Sequence, residues 1–227
     1  ETLPEIAYEK AGIIKREVPV VIGEKQKEVE DVFQDQAKKM NSEIHFASDN
    51  EYDFKTDLLG DYQLNNLKTA IAGINRLKDF KVSDSHIERG LLSVAVNTGL
   101  KGRWQILKDS PKVICDTAHN KEGLTYVMNQ LLNENYSNLH IVLGVVNDKK
   151  LNEVLSFFPK KATYYFCKPN IPRGLNASEL KEIAKDFGLV GEVYDSVSEA
   201  YNKAKENSNN DDLIFVGGST FVVAEAI

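Results

Sequence analysis

Cysteine, methionine and tryptophan are scarce in this sequence. Its 227 residues include two cysteines, Cys115 and Cys167, two methionines and one tryptophan. Two cysteines cannot form a disulfide framework, and both lie in apolar stretches typical of strands. We therefore expect reduced thiols in the core of a cytoplasmic protein, and we exclude a small disulfide-stabilised secreted scaffold.

The sequence also lacks features that would assign it to other classes. No apolar run approaches the ~18 residues of a membrane span, and we expect no signal peptide. The net charge of -6 and the pI of about 5.4 argue against a nucleic-acid surface. Neither a GxxxxGK[ST] phosphate loop nor a GxGxxG after a predicted strand occurs. We therefore expect neither ATP turnover by this chain alone nor a dinucleotide dehydrogenase.

The pattern of apolar residues predicts an α/β protein. Hydrophobic residues make up 42% of the chain and charged residues 27%, a balance that suits one large or two modest domains. From Gly102 onward apolar strands alternate with amphipathic helices, which predicts a mostly parallel sheet covered on both faces, that is, a Rossmann-like three-layer domain. The predicted strands there are 103–107, 112–115, 140–145, 163–167, 190–194 and 213–216, and the helices are 121–133, 150–158, 177–187, 197–207 and 220–226.

The residues before Gly102 also alternate between helices and strands. Thr2 and Glu5 form a capping-box pattern at the start of a helix that we expect to end at Gly12. Strands are predicted at 18–22 and 43–47, and helices at 28–40, 65–80 and 84–94. We place a linker at residues 97–99, and hence one domain at residues 1–98 and a second at 99–227.

A polar cluster follows the predicted strand 112–115. Asp116, His119 and Asn120 lie where an apolar strand ends and a helix begins, which is where open α/β sheets bind ligands. An acid, an imidazole and an amide at this point predict a ligand site. By residue type alone, the alternatives are an aspartate that caps the next helix and a polar loop histidine.

Five motifs occur in order along nearly the whole chain. They are Thr2-Leu3-x-x-Ile6-Ala7-x-Glu9-Lys10-Ala11-Gly12-Ile13-Ile14-Lys15, Gly60-x-x-Gln63-x-x-Asn66, Gly102-Arg103 followed by Asp116-x-Ala118-His119-Asn120, Gly144-x-x-x-Asp148-Lys149, and Gly217-Gly218-Ser219. In these motifs the chain resembles folylpolyglutamate synthase and dihydrofolate synthase, members of the Mur ligase superfamily of ATP-dependent amide-forming ligases. The resemblance implies that residues 1–98 are the C-terminal part of the central ATP-binding domain and that residues 99–227 are the Rossmann-like C-terminal domain. It also implies a fragment, because the phosphate loop of this family lies upstream.

The resemblance implies a metal-binding role for Lys10. In the family this lysine is carbamylated and helps to hold a second magnesium ion. A carbamate offers the oxygen ligands that magnesium prefers and that an ammonium group lacks. In the fragment we expect Lys10 to be unmodified, and by residue type alone it is a solvated helix lysine.

Four residues would contact ATP in the family. Asn66 would contact the adenine, Arg103 the phosphates, and Asp116 and His119 the ribose and the adenine. Without the resemblance, Asn66 is an asparagine near a helix N-cap and Arg103 is a surface arginine. Tyr62 stands where the family usually has histidine.

The incoming glutamate would be bound by Ser219 together with His119. Ser219 follows two glycines at a strand end, where backbone amides can approach a carboxylate closely. In the family Lys149, after Asp148, lies near the active-site cleft. The alternative for this pair is a helix N-terminus with a capping aspartate and a solvated lysine.

The implied reaction is the ATP-dependent addition of L-glutamate to dihydropteroate or folates. ATP phosphorylates a carboxylate, and the amine of L-glutamate attacks the acyl phosphate to form an amide. The implied cofactors are ATP and Mg2+, with a monovalent cation as a further candidate. We expect small-molecule substrates, a monomeric parent, no nucleic-acid or membrane partner, and an inactive fragment. The alternatives are a peptidoglycan-precursor Mur ligase and a non-catalytic Rossmann-like binding module.

Overall fold

The computed structural model describes residues 2–147 and 151–227. This part of the chain divides into two compact units. The first contains the residues up to Asp57 together with Gln63–Thr98, and the second contains Leu58–Tyr62 together with Gly99–Ile227. The short segment Leu58–Tyr62 therefore packs with residues that follow it by 37 positions or more in the sequence.

The second unit is built on a six-stranded sheet. Its strands are β3 (Gln105–Asp109), β4 (Lys112–Cys115), β5 (Leu139–Leu143), β6 (Thr163–Phe166), β7 (Gly191–Val193) and β8 (Leu213–Gly217). Their order is β3-β4-β8-β5-β6-β7, and only the β3–β4 pair is antiparallel. The central strands β5 and β8 are buried along their whole length, as the continuous apolar runs of a doubly covered parallel strand require.

Helices cover both faces of this sheet. They are α6 (Lys121–Leu132), α7 (Leu151–Leu155), α8 (Ala177–Lys185), α9 (Val197–Asn207) and α10 (Thr220–Ala226). Alternate side chains of each strand point to opposite faces, so Ile141 packs with α6, α7 and α8, whereas Val142 packs with α9 and α10. The prediction of a mostly parallel, three-layer domain is confirmed.

The first unit has a smaller hydrophobic core than the second. Its elements are α1 (Leu3–Ala11), β1 (Val20–Ile22), α2 (Glu30–Lys39), β2 (Ile44–Phe46), α3 (Gln63–Ile74), α4 (Asp84–Leu91) and α5 (Val94–Thr98), with a 3-10 turn at Ala47–Asp49. Strands β1 and β2 are parallel. Glu5 accepts a hydrogen bond from the backbone N–H of Thr2 at 2.7 Å, as the predicted capping box requires.

Two helix predictions in this unit extend too far toward the C-terminus, and one of them is the helix predicted at 84–94, which ends at Leu91. The helix predicted to reach Phe80 ends at Ile74, and Phe80 is 67% exposed, so burial of this side chain contributes little to a longer helix. The predicted linker at residues 97–99 lies partly in α5. The backbone N–H groups of Val94 and Ala95 donate to the carboxylate of Asp57 at 3.1 and 3.0 Å, so a residue distant in sequence caps this helix.

The strand predicted at residues 103–107 begins at Gln105 instead. Gly102 has φ +69° and Trp104 has φ +46°. These positive values are incompatible with an extended strand, so the residues before Gln105 form a turn. Residue 150, where the next helix was predicted to begin, lies outside the described residues. The helix is described from Leu151 and ends at Leu155 rather than at the predicted residue 158.

Both cysteines are fully buried with free thiols. Burial raises the pKa of Cys115 and that of Cys167 to about 12, which leaves both groups as thiols at neutral pH. This confirms the expectation of core thiols. Within the described residues, no helix combines the length and the apolar character needed to cross a membrane.

Candidate functional site

The candidate site of the second unit lies at the carboxyl ends of β4, β5 and β8. Helix α6 leaves β4 on one face of the sheet, whereas α10 leaves β8 on the other face. Such a change of direction between neighbouring parallel strands opens a crevice, which is where open α/β sheets bind ligands. A cavity of about 310 Å³ occupies this position. Its lining residues are His119, Asn120, Lys121, Glu122, Val145, Val146, Leu151, Glu153, Val154 and Gly218.

Asn120 begins α6 at the edge of this cavity. Its Oδ1 accepts a hydrogen bond from the backbone N–H of Gly123 at 2.9 Å. The residue that caps this helix is therefore Asn120 and not Asp116, which rules out the alternative in which Asp116 is the cap. The first residues of this helix, Lys121 and Glu122, also line the cavity.

Asp116 has no exposed surface. Its Oδ2 accepts hydrogen bonds from the hydroxyl of Tyr62 at 2.7 Å and from the backbone N–H of Trp104 at 2.6 Å. Its Oδ1 accepts one from the backbone N–H of Ala118 at 2.8 Å. Burial raises the pKa of Asp116, and these three hydrogen bonds and the charge of Arg103 oppose that rise. The contact with ribose that the resemblance implies remains a prediction.

Arg103 and His119 both bond to Thr117. The Nη1 of Arg103 donates to Thr117 Oγ1 at 2.8 Å, and the Nδ1 of His119 lies 3.0 Å from the backbone oxygen of Thr117. Both side chains belong to exposed residues. The structure thus brings Arg103, Asp116 and His119 together around one turn, with His119 on the cavity wall.

Ser219 is the N-cap of α10 and is 3% exposed. Its Oγ accepts a hydrogen bond from the backbone N–H of Val222 at 3.2 Å. The neighbouring Gly218, with φ +93°, lines the cavity, and a Cβ there would lie 2.7 Å from the backbone oxygen of Gly144. The serine predicted to contact glutamate therefore lies next to the cavity wall in sequence and also caps a helix.

The other predicted site residues lie in the first unit. Lys10 is exposed in the last turn of α1. Asn66 is exposed in the first turn of α3, and its Nδ2 donates to the Oε1 of Gln63 at 2.8 Å. Asp148 and Lys149 lie outside the described residues. Across residues 2–147 and 151–227, no three His, Cys, Asp or Glu side chains converge on a possible metal position.

Two residues of the second unit were missed at the sequence level. Tyr62 donates to Asp116, and the side-chain amide of Gln130 bonds to the backbone of the Leu58–Tyr62 segment. No local pattern marks Gln130, which lies on α6 as an ordinary polar residue. Tyr62 was noticed only as a departure from the histidine usual in the family.

Known proteins that resemble this chain belong to the family that the five motifs indicated. Residues 102–220 match the family described as Mur ligase, glutamate ligase domain. The chain belongs to this family. The resemblance in the five motifs is thus confirmed at the level of the family, and the matched region contains the sheet, the cavity and the Arg103–His119 cluster.

Individual relatives extend the match beyond that domain. A probable bifunctional folylpolyglutamate synthase/dihydropteroate synthase of Haloferax volcanii is 31% identical over 175 residues, which are 77% of this chain and 20% of the relative. The dihydrofolate synthase/folylpolyglutamate synthase of Escherichia coli is 29% identical over 239 residues, which cover 98% of this chain and 54% of the relative. The solved structure of E. coli FolC in complex with DHPP and ADP matches with a TM-score of 0.84 at 26% identity, over 100% of this chain and 56% of that one. This Mur ligase chain therefore spans about half the length of these E. coli proteins.

Proposed function

We propose that this Mur ligase chain supplies nucleotide-binding and glutamate-binding residues to a ligase that adds L-glutamate to dihydropteroate, to folates or to both. The reaction would use ATP and proceed through an acyl phosphate. The observation that carries the proposal is the pairing of Arg103 and His119 around Thr117, beside a cavity within the glutamate ligase domain. The E. coli relative is a dihydrofolate synthase/folylpolyglutamate synthase, which supports a folate ligase.

In the second unit, Arg103 and His119 would be nucleotide-binding residues, and Asn66 is a separate candidate in the first unit. A guanidinium has five N–H donors and can bind two phosphate oxygens at once, and the bond from Arg103 Nη1 to Thr117 uses one of them. An exposed amide such as that of Asn66 offers a donor and an acceptor to a purine edge. The E. coli relative was solved with ADP, which supports a nucleotide as the ligand.

The incoming glutamate would occupy the cavity. Its volume of about 310 Å³ is at the small end of the range for ligand pockets, as expected for an amino acid. Lys121 on one wall suits a carboxylate, and Glu153 on another suits an ammonium group. Ser219 and His119 would complete this site, with Gly218 allowing close approach of the backbone.

The described residues contain no cluster of side chains that would hold magnesium without further ligands. No three acidic, histidine or cysteine side chains converge within them, and the exposed ammonium of Lys10 offers no oxygen ligand. A carbamate on Lys10 would supply such oxygens, so we propose this modification only for the whole protein.

We also propose that the protein is located in the cytoplasm. We assign residues 1–98 to the C-terminal part of the central ligase domain.

Titration of the chain with ADP and with L-glutamate tests the proposal. We expect the affinity for ADP measured by calorimetry to fall about tenfold or more in Arg103→Ala, because a charge-assisted hydrogen bond contributes about 1.5–3 kcal/mol. His119→Ala should weaken both ligands. Arg16→Ala is the matched control, since Arg16 is an exposed arginine in a weak surface ion pair. Binding that is equally strong in Arg103→Ala and Arg16→Ala would contradict the assignment.

A second candidate is a binding module without catalysis of its own. The absence of a GxxxxGK[ST] loop favours it for the chain as it stands. We therefore expect no amide product when the chain is incubated with dihydropteroate, ATP, magnesium and L-glutamate. Chromatography would detect the product, and formation of dihydrofolate would show that the chain is catalytic by itself.

A further inference from the structure

Asp116 is a buried carboxylate beside the two proposed nucleotide-binding residues of the second unit. Arg103 bonds to the side chain of Thr117, which directly follows Asp116, and His119 bonds to the backbone of the same threonine. A carboxylate accepts hydrogen bonds at both oxygens, which suits the hydroxyl groups of a ribose. Asp116 nevertheless has no exposed surface, so a ribose hydroxyl can reach it only after one of its present neighbours has moved.

The three described groups that donate to this carboxylate differ in how readily they can leave. Two are the backbone N–H groups of Trp104 and Ala118, at 2.6 and 2.8 Å. They belong to the turns that carry the proposed nucleotide-binding residues, so their departure would disturb the site itself. The third is the hydroxyl of Tyr62, which donates to Oδ2 of Asp116 at 2.7 Å. Tyr62 is therefore the donor that can move away without rearranging these turns.

Tyr62 ends the segment Leu58–Tyr62, which has no regular secondary structure. The side chain of Gln130 on α6 also holds this segment. Its Oε1 accepts from the backbone N–H of Asp61 at 2.8 Å, and its Nε2 donates to the backbone oxygen of Leu59 at 2.9 Å. The ring of Tyr62 packs against the hydrophobic core on the α6 face of the sheet. One tyrosine and one glutamine side chain therefore contribute to keeping the segment beside the carboxylate.

The bond from Tyr62 is of the stronger kind. A hydroxyl that donates to a carboxylate makes a charge-assisted hydrogen bond, and 2.7 Å is the distance typical of one. Burial raises the pKa of Asp116, and the hydroxyl of Tyr62 is the strongest of the contacts that oppose this rise. A group that replaces this hydroxyl must therefore donate a hydrogen bond in its turn, as a ribose hydroxyl can.

We propose that Tyr62 occupies the place on Asp116 that a ribose hydroxyl takes, so that a nucleotide binds Asp116 only when the Leu58–Tyr62 segment releases it. The exchange conserves the chemistry of the contact, because one neutral hydroxyl donor replaces another on the same carboxylate. Tyr62 thereby lowers the affinity of the chain for nucleotides that carry ribose hydroxyls. The inference rests on the proposed function, since it requires that this chain binds a nucleotide.

Tyr62→Phe tests the exchange because it removes only the hydroxyl and keeps the ring. We expect its affinity for ADP, measured by calorimetry, to rise about tenfold, since the ribose no longer displaces a charge-assisted hydrogen bond. Tyr126→Phe is the matched control, because Tyr126 is 44% exposed on α6 of the same unit, and its affinity should equal that of the unmodified chain. An affinity of Tyr62→Phe that is equal to or lower than that of the unmodified chain would overturn the proposal.

An ADP analogue without ribose hydroxyls shows whether the gain arises at Asp116. Because 2′,3′-dideoxy-ADP offers no hydroxyl to the carboxylate, it leaves Tyr62 in place. Tyr62→Phe should therefore bind this analogue no more tightly than the unmodified chain does. An equal gain for ADP and for the analogue would mean that the substitution acts elsewhere, and the proposal would be wrong.

Hydrogen exchange of the Asp61 amide follows the segment itself. When the segment is released, this amide loses its bond to Gln130, so by NMR it should exchange several-fold faster in saturating ADP than in saturating 2′,3′-dideoxy-ADP. The amide of Ile141 in β5 is the reference and should exchange equally slowly with both nucleotides. The same exchange rate of the Asp61 amide with both would show that the segment stays in place, contrary to the proposal.

The proposed function and this inference fail in different ways. If neither nucleotide gives a heat of binding at millimolar concentration with the unmodified chain or with Tyr62→Phe, the nucleotide assignment fails for this chain, and the inference fails with it. If ADP binds and Tyr62→Phe gains no affinity, the nucleotide assignment stands and only the exchange at Asp116 is wrong.

Discussion

Asp116 and Asp212 are both buried aspartates of the second unit, and their pKa values shift in opposite directions. Burial raises the pKa of Asp116 despite its three hydrogen bonds. Burial also acts to raise the pKa of Asp212, but hydrogen bonds from Asn209 and Asn138 and the nearby His140 outweigh it and hold that pKa below its usual value. Each carboxylate accepts three hydrogen bonds, so the sign of each shift depends on whether the loss of solvation outweighs these bonds and the nearby charges together.

These shifts predict opposite pH dependences of stability. Asp116 has a raised folded-state pKa, so its contribution is fully present below the unfolded value of about 4 and is lost as the pH rises through the folded value. Asp212 has a lowered pKa, so its contribution is present above about pH 4 and is lost as the pH falls through the folded value. The measurement is the free energy of unfolding in urea against pH for the unmodified chain, Asp116→Asn and Asp212→Asn.

The difference from the unmodified chain is the quantity to compare. On going from acid to neutral pH, the stability of the unmodified chain relative to Asp116→Asn should decrease, and that relative to Asp212→Asn should increase. Two differences with the same slope would show that one of the two pKa shifts has the wrong sign.

At the scale of the element, the turn before β3 requires glycine for two separable reasons. Gly102 and Gly99 both have positive φ, +69° and +67°. A Cβ on Gly102 would lie 2.8 Å from side-chain carbons of Thr117 and Val223, whereas a Cβ on Gly99 would meet nothing within 4 Å. The turn that carries Arg103 thus depends on close packing as well as on backbone conformation.

This comparison predicts unequal effects of the two glycine-to-alanine changes. Gly99→Ala should cost about 1–2 kcal/mol of unfolding free energy from backbone conformation alone. Gly102→Ala should cost about 1–3 kcal/mol more because the new methyl group overlaps with its neighbours. Urea unfolding of both variants measures the difference, and equal losses would mean that the surrounding side chains move away at little cost.

Helix α6 offers a similar pair of positions for testing its packing. Leu124 is fully buried against the sheet, whereas Leu132 at the end of the same helix is 51% exposed. Leu124→Ala should lower the free energy of unfolding by about 2–5 kcal/mol, since it removes apolar contacts and leaves a cavity. Leu132→Ala is the control, and its loss in the same urea titration should be clearly smaller.

At the scale of the whole molecule, the two units differ in how much apolar surface they bury. The second unit has two extended core clusters, one on each face of its sheet. The first unit has two small clusters, around Phe33 and around Ile71. Local stability follows the amount of buried apolar surface, so the second unit should open less often.

Amide hydrogen exchange would measure this difference along the chain. We expect the slowest exchange in β5 and β8, which are buried throughout, and faster exchange in β1 and β2, whose residues are only partly buried at most positions. Mass spectrometry of peptic fragments resolves these strands. Equal protection of β1 and β5 would contradict the expectation.

Much of the fold could be predicted because its signals are local. Apolar periodicity located the strands and helices of the second unit, and Val197–Asn207 was predicted to the residue. The capping pattern at Thr2 located the start of α1 for the same reason, since the two bonded residues are three positions apart. The polar cluster after β4 marked the edge of the sheet at which the cavity lies.

Local patterns could not show what depends on contacts between distant residues. Tyr62 and Asp116 are 54 positions apart, and Asp57 caps a helix 37 positions further along the chain. The apolar pattern likewise extended α3 to Phe80, but this side chain is exposed in the folded chain and the helix ends at Ile74. Residue types and their spacing were therefore enough to predict the family, the succession of strands and helices along the chain, and the candidate site residues. All of these follow from short segments of sequence. The burial of Asp116 and the course of Leu58–Tyr62 became known only from the folded chain, because hydrogen bonding and desolvation depend on neighbours that folding brings together.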